Sequence, residues 1–153
     1  RSKINWKQMS YPLQKARTLF EIAKDVPDNR LEKAFFEADS LDLSPKLGML
    51  YAAIPRTYLE NTDTYIGADY VICYYMFARY LQTADQASTT TGLKLQTYNG
   101  SIVLPDNSRI KRFEAERNKA DLFVEGLIAA MKKDGVIKEK CNRAKPYRIG
   151  LIK

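Results

Sequence analysis

Thirteen lysines and arginines fall between Arg109 and Lys153, against six aspartates and glutamates, so this stretch carries a net charge of +7. Residues 1–108 hold twelve of each sign and sum to zero. The whole excess of positive charge therefore sits in under a third of the chain. Clustered lysine and arginine neutralise phosphates and release counterions; arginine also binds guanine edges in a fork, and asparagine reads adenine. The pattern points to an anionic partner. The bland alternative is a set of solubilising charges on ordinary faces, and the balance of the first 108 residues weighs against it.

Other chemistries have little to work with. Histidine is absent. That removes the residue most used for proton transfer near neutral pH, the commonest metal ligand, and every Ser-His or Cys-His nucleophile. Glu32, Glu37 and Asp39 read as ion pairs on helix faces, and no paired acidic motif follows a strand with a lysine in the manner of a metal nuclease. Cys73 and Cys141 make neither a disulfide framework nor a four-ligand zinc site. Cys73 lies in an apolar run and reads as a core residue, while Cys141 has nothing beside it that would activate a thiol. No enzyme activity, catalytic residue, metal or cofactor is expected. The cysteine usage fits an intracellular setting, cytoplasmic or nucleoid-associated. The longest apolar run, Tyr70 to Ala78, spans nine residues, well short of the roughly 20 a membrane helix needs. No leader-like apolar region follows the N-terminus, so no membrane is expected.

The elements that would position the charges can be read in order. Pro12 starts a helix whose face is Leu13, Ala16, Phe20 and Ala23, ending at Val26-Pro27. Asp28 caps a second, with Leu31, Ala34, Phe35 and Ala38 inward. Ser44-Pro45 restarts a third through Leu47, Leu50, Tyr51 and Ile54, and Pro55 stops it. The most apolar helix runs from Gly67 to Gln82, with a stripe of Ile66, Tyr70, Cys73, Phe77 and Leu81 broad enough to be covered on most sides. Its tyrosines read as core rather than as a platform for stacking bases. Gln86 to Thr91 reads as a loop. Residues 93–97 and 102–104, around Asn99-Gly100, read as a β-hairpin.

The basic part follows. Ser108 to Arg117 and Lys119 to Lys133 read as two helices broken near Asn118, a helix-turn-helix, with one continuous helix over 108–133 as the competing reading. Ala120, Phe123, Val124, Leu127, Ile128 and Met131 make the inner face. Asp134-Gly135 ends it. Val136-Ile137 begins a strand, residues 142–145 make a basic loop, and Tyr147, Ile149 and Leu151 alternate on the return.

This succession (helix, Lys-Lys-Asp-Gly-Val-Ile, basic loop, Tyr-Arg-Ile strand) resembles a winged helix over about residues 67–153. The resemblance implies a helix in the DNA major groove and a basic hairpin, the wing, on backbone or minor groove. Carried over by position, Arg117, Asn118, Lys119 and Lys132 are the helix candidates, and Lys111 and Arg112 of the same basic stretch are added as candidate nucleic-acid-binding residues. Lys138, Lys140, Arg143, Lys145 and Arg148 are the wing candidates.

The expected architecture is mainly α with a small antiparallel β component (α+β): a helical N-terminal bundle over 1–66 and a winged-helix-like part over 67–153 with two β-hairpins. The expected function is binding of nucleic acid, DNA ahead of RNA, in transcriptional regulation or replication initiation. A homodimer through the N-terminal helices, or a second protein, is a further candidate partner. The alternative is a docking subunit of a larger nucleoprotein complex with no sequence-specific binding of its own, since tyrosine-rich helical modules also serve as adaptor surfaces.

Overall fold

The structure, a computed structural model, describes residues 10–83, 86–89, 92–95 and 106–137. Five α-helices carry it: α1 (Leu13–Leu19), α2 (Asp28–Glu37), α3 (Ser44–Leu47), α4 (Ala68–Thr83) and α5 (Asp106–Lys133). A π-helical turn, Ala38–Leu43, continues α2 into α3, and 3-10 turns at Tyr51–Ala53 and Arg56–Tyr58 lead towards α4. No helix among the described residues is long and apolar enough to cross a membrane.

α4 is the central element. Val71, Ile72, Cys73, Tyr75 and Met76 are fully buried, which needs neighbours on several sides, and α1, α2, the π-helical turn and α5 supply them. α5 lays Ala120, Val124, Leu127 and Met131 on it, a 4–3–4 spacing that keeps one face inward over three turns. One core runs from Tyr11 to Met131. Tyr11 stacks on Phe35 at 5.2 Å, and Phe20 stacks on Phe77 at 4.1 Å. Tyr74 meets Phe123 edge-on at 5.1 Å. Buried tyrosine hydroxyls need partners: Tyr75 donates to Asp121 at 2.6 Å and Tyr58 to Asp134 at 2.7 Å. Tyr75 therefore belongs to the core and offers no ring for a base to stack on.

Several helix ends differ from the sequence expectation for identifiable reasons. α1 stops at Leu19 rather than reaching Ala23. The chain reverses through Glu21, which has a left-handed φ of 51°. Arg17 secures the return by donating to the carbonyls of Ala23 at 3.0 Å and Val26 at 2.6 Å, and to the Asp28 carboxylate at 2.6 Å. α3 ends after one turn, because Gly48 takes a left-handed φ of 66° and its N–H closes on the Ser44 carbonyl at 2.7 Å. Gly67 is required for a different reason. A Cβ there would run into the Leu59 carbonyl oxygen, at the point where that oxygen accepts the Asp69 N–H at the start of α4.

The expected α+β fold class is corrected. The described residues form a helical body, and no winged-helix-like part with a strand after the last helix is seen in them. The expected break near Asn118 is absent: α5 is continuous over 28 residues, about 42 Å at 1.5 Å per residue, so the helix-turn-helix does not form. Val136 and Ile137 do not start a strand. After Gly135 (φ 77°), the Val136 N–H turns back to the Met131 carbonyl at 2.9 Å, which caps the helix. The remainder of the expected wing lies outside the described residues. Of the expected hairpin around Asn99-Gly100, only residues 93–95 are described, and they lie in a strand. Gln86–Thr89 pairs antiparallel with Gly92–Leu95, so the tract read as a loop supplies β1 (Gln86–Thr89), with β2 (Gly92–Leu95) beside it. Residues 96–105 lie outside the described residues.

Leu127→Ala should lower stability by about 2–5 kcal/mol, the usual cost of an unfilled core site. Leu122→Ala, on the opposite face of the same helix, should stay within about 0.5 kcal/mol. Urea unfolding of both variants checks which side of α5 faces the core, and equal losses would contradict the packing.

Candidate nucleic-acid interface

The eleven sequence-predicted residues divide into three groups. Lys111, Asn118 and Lys132 are exposed on α5. Lys111 and Lys132 are 21 residues apart, about 32 Å along the axis, so they do not form one cluster. Arg112, Arg117 and Lys119 are engaged locally. Arg112 lies over the Phe77 ring at 5.5 Å. Arg117 lies over Phe113 at 6.0 Å, with its Nη2 3.4 Å from Asp42 Oδ1. Lys119 reaches Glu116 at 3.4 Å. Lys138, Lys140, Arg143, Lys145 and Arg148 lie outside the described residues.

The pairing of Arg117 has a strong cause. Asp42 is buried, and a buried carboxylate without partners is expensive. Arg79 of α4 meets it with two donors at 2.9 Å each, a bidentate fork. Arg117 is the second cation on Asp42 Oδ1. Both guanidinium groups lie over the Phe113 ring, Arg79 at 5.9 Å and Arg117 at 6.0 Å. Beside this cluster, Asp121 accepts from Tyr75 and pairs with Lys46 at 3.0 Å. Burial pushes the Asp121 carboxyl up, but the bonds from Tyr75 and Lys46 outweigh it and hold the group below the usual carboxylate range. Arg79 is committed to this buried acid, while Arg117 adds a second, longer contact and keeps its side chain 46% exposed.

A second polar site has no counterpart in the sequence expectation. Asp39, expected on a surface ion pair, is instead 1% exposed. Its Oδ1 accepts the Tyr51 N–H at 2.9 Å, and its Oδ2 faces the Tyr11 hydroxyl at 3.5 Å. Burial raises its pKa to about 6, with the Tyr11 bond pulling the other way. No local signal marks Asp39 as buried, because its partners lie 28 residues before it and 12 after it in the chain.

A cleft of about 710 Å³ opens beside this site, between Tyr11, Lys15, Tyr51, Arg56, Leu59 and Asp69. Lys15 is its most prominent charge. It pairs with Asp69 at 2.8 Å and with Glu60. The bond to Asp69, then that to Glu60, raises its pKa above the usual lysine range, which is the reverse of what a nucleophilic or proton-accepting lysine needs. Cys73 is buried, and burial pushes its thiol up to about 12, leaving it unreactive. No group of three acidic or cysteine side chains among the described residues is arranged to hold a metal.

No protein-family model matches the chain, and no curated protein or solved structure matches it either.

The Asp39 carboxyl generates a pH prediction. Its folded pKa of about 6 exceeds the ordinary value of 3.8, so the folded state holds the proton more tightly. The stabilising contribution is full below about pH 4 and is lost as pH rises to about 6, a change of up to about 3 kcal/mol. Asp39→Asn retains an acceptor for the Tyr51 N–H and cannot ionise. Relative to the parent, the variant should therefore gain stability between pH 4 and pH 7 in denaturant titrations. Parallel pH curves for the two proteins would refute the assignment.

Proposed function

We propose that this chain is a nucleic-acid-binding subunit of a larger nucleoprotein assembly, holding the phosphate backbone rather than reading bases, with duplex DNA ahead of RNA. One observation carries the proposal: residues 138–153 contain six lysines and arginines and a single acid, Glu139, so +5 of the chain's +7 lies in its last sixteen residues. The positive charge is densest beyond the helix that packs the core.

The helical body supports backbone contact over base reading in two ways. Base readout needs several side chains converging on neighbouring base edges. On α5, Arg117 turns to Asp42, Lys119 reaches Glu116, and Lys111 and Lys132 stand far apart. Phosphate binding needs only local positive potential, which the last residues supply in sequence and Lys132 and Lys133 extend at the exposed end of α5. The helical body then acts as the scaffold through which the subunit is held in its assembly.

Binding of a labelled DNA duplex, followed by anisotropy across a salt series, tests this. Affinity should fall steeply with salt. Arg143→Ala/Lys145→Ala should reduce the slope of log affinity against log salt by about 1.8, roughly 0.9 for each phosphate no longer neutralised. Duplexes of scrambled sequence should bind with similar affinity. A flat salt response, or an unchanged slope in the double variant, would overturn the proposal.

A further inference from the structure

The chain is held firmly up to the residue before its basic C-terminal stretch. After Gly135, the N–H groups of Val136 and Ile137 both turn back to the Met131 carbonyl, at 2.9 and 3.4 Å. The Ile137 side chain packs against the core. Asp134, in the same reversal, accepts the Tyr58 hydroxyl at 2.7 Å. That bond joins residues 76 positions apart, and it ties the end of α5 to the 3-10 turn Arg56–Tyr58. The Tyr58 ring is itself fixed: it is buried and stacks on Tyr65 at 5.6 Å, and Tyr65 donates to the Thr57 carbonyl at 3.1 Å. The stretch that starts at Lys138 is thus joined to the body at a fixed point, beside that turn.

Arg56 opens the turn and is exposed. It is also the one arginine among the described residues that the fold leaves unused. Arg17, Arg79 and Arg117 meet carboxylates, Arg30 donates to the Thr83 carbonyl, and Arg112 lies over Phe77. Arg109 also has a partner. The Arg56 side chain makes no hydrogen bond, ion pair or ring contact. An unpaired surface arginine is commonly no more than a solvated charge, and position is what separates this one. Arg56 stands two residues from Tyr58, while Lys133 and Lys132 stand one and two residues from Asp134, at the other end of the bond. Both lysines are exposed and have no ion-pair partner. Three unpaired cations therefore flank the joint from which the densest run of positive charge departs. Phosphates present a continuous line of charge along a duplex, so cations on the body next to the start of a basic stretch can engage the same line.

We propose that Arg56 contacts the nucleic-acid backbone together with Lys132, Lys133 and the basic stretch, and that the Tyr58–Asp134 bond holds it beside them. The inference rests on the nucleic-acid reading above and extends its site from the C-terminal residues onto the folded body. Arginine suits the contact because its guanidinium offers phosphate a fork of donors. Tyr58 is a positioning residue, acting through Asp134.

The test repeats the salt series with the labelled DNA duplex on the full chain. Arg56→Ala should lower the slope of log affinity against log salt by about 0.9, the share of one phosphate. Arg56→Lys should keep the slope, since the charge remains. Lys24→Ala should also leave it unchanged. Lys24 is exposed between Ala23 and Asp25, beside Leu81 at the opposite end of α4, so this control separates a local contact from a loss of net charge. Tyr58→Phe keeps the stacked ring and removes only the hydroxyl. It should lower the slope as Arg56→Ala does, and the two changes together should lower it no further, because they remove the same contact. A purely structural Tyr58 would instead give a lower thermal transition with the parental slope. That result, an unchanged slope in Arg56→Ala, an equal loss in Lys24→Ala, or effects of Arg56→Ala and Tyr58→Phe that add in full would each overturn the inference. A steep parental slope that Arg143→Ala/Lys145→Ala lowers and Arg56→Ala does not would reject this inference alone and leave the nucleic-acid reading standing. A flat parental slope would reject both.

Discussion

The constraint on which the rest of this fold depends is the burial of one carboxylate. Asp42 sits in the π-helical turn at the end of α2, 4% exposed, and its negative charge is tolerable only if cations come to it. Arg79 arrives from α4 and Arg117 from α5. Three segments distant in sequence are thereby fixed to one point. The apolar stripes of α2, α4 and α5 bury area wherever they meet, because the hydrophobic effect has no direction. The forked bond of Arg79 to Asp42 does have direction, and it favours one placement of these helices over others of similar burial. Phe113, under both guanidinium groups, extends the same joint along α5.

This joint also explains why α5 does not break. Asn118 is a poor helix former and reads in sequence as the start of a second helix. In the fold it faces solvent, where its weak propensity costs little. The inward positions on either side of it continue one stripe, with Phe113 before it and Ala120 and Val124 after it, and Arg117 is held at Asp42 immediately before. Packing on α4 outweighs a local preference of a few tenths of a kcal/mol.

Much of the helical layout is legible from period alone, because burial on one face leaves a trace every three or four residues. The inner faces of α2 and the second half of α5 are of this kind, and so is the stop at Gly135, where a left-handed residue ends a helix. The stripe read for α4 is only partly so: Cys73, Phe77, Ala78 and Leu81 are buried, but Val71, Ile72, Tyr75 and Met76, outside that stripe, are fully buried as well. What is not legible depends on partners far away in the chain. Asp39 and Asp42 look like surface acids until Tyr51 and Arg79 are placed beside them. The early end of α1 follows from Arg17 binding carbonyls beyond the turn. The strand at Gln86–Thr89 pairs with its neighbour across two residues, a local event that the serine and threonine content conceals behind a loop-like composition. The predicted cations on α5 fail to converge for a related reason. Sequence shows where charge is concentrated, but each charge on a folded helix is first available to the acids nearest in space.

That competition sorts the cations by role. Arg17, Arg79 and Arg117, with Lys15 and Lys46, are tied to acids or carbonyls within the fold. Lys111, Lys132 and Lys133 remain outward on α5.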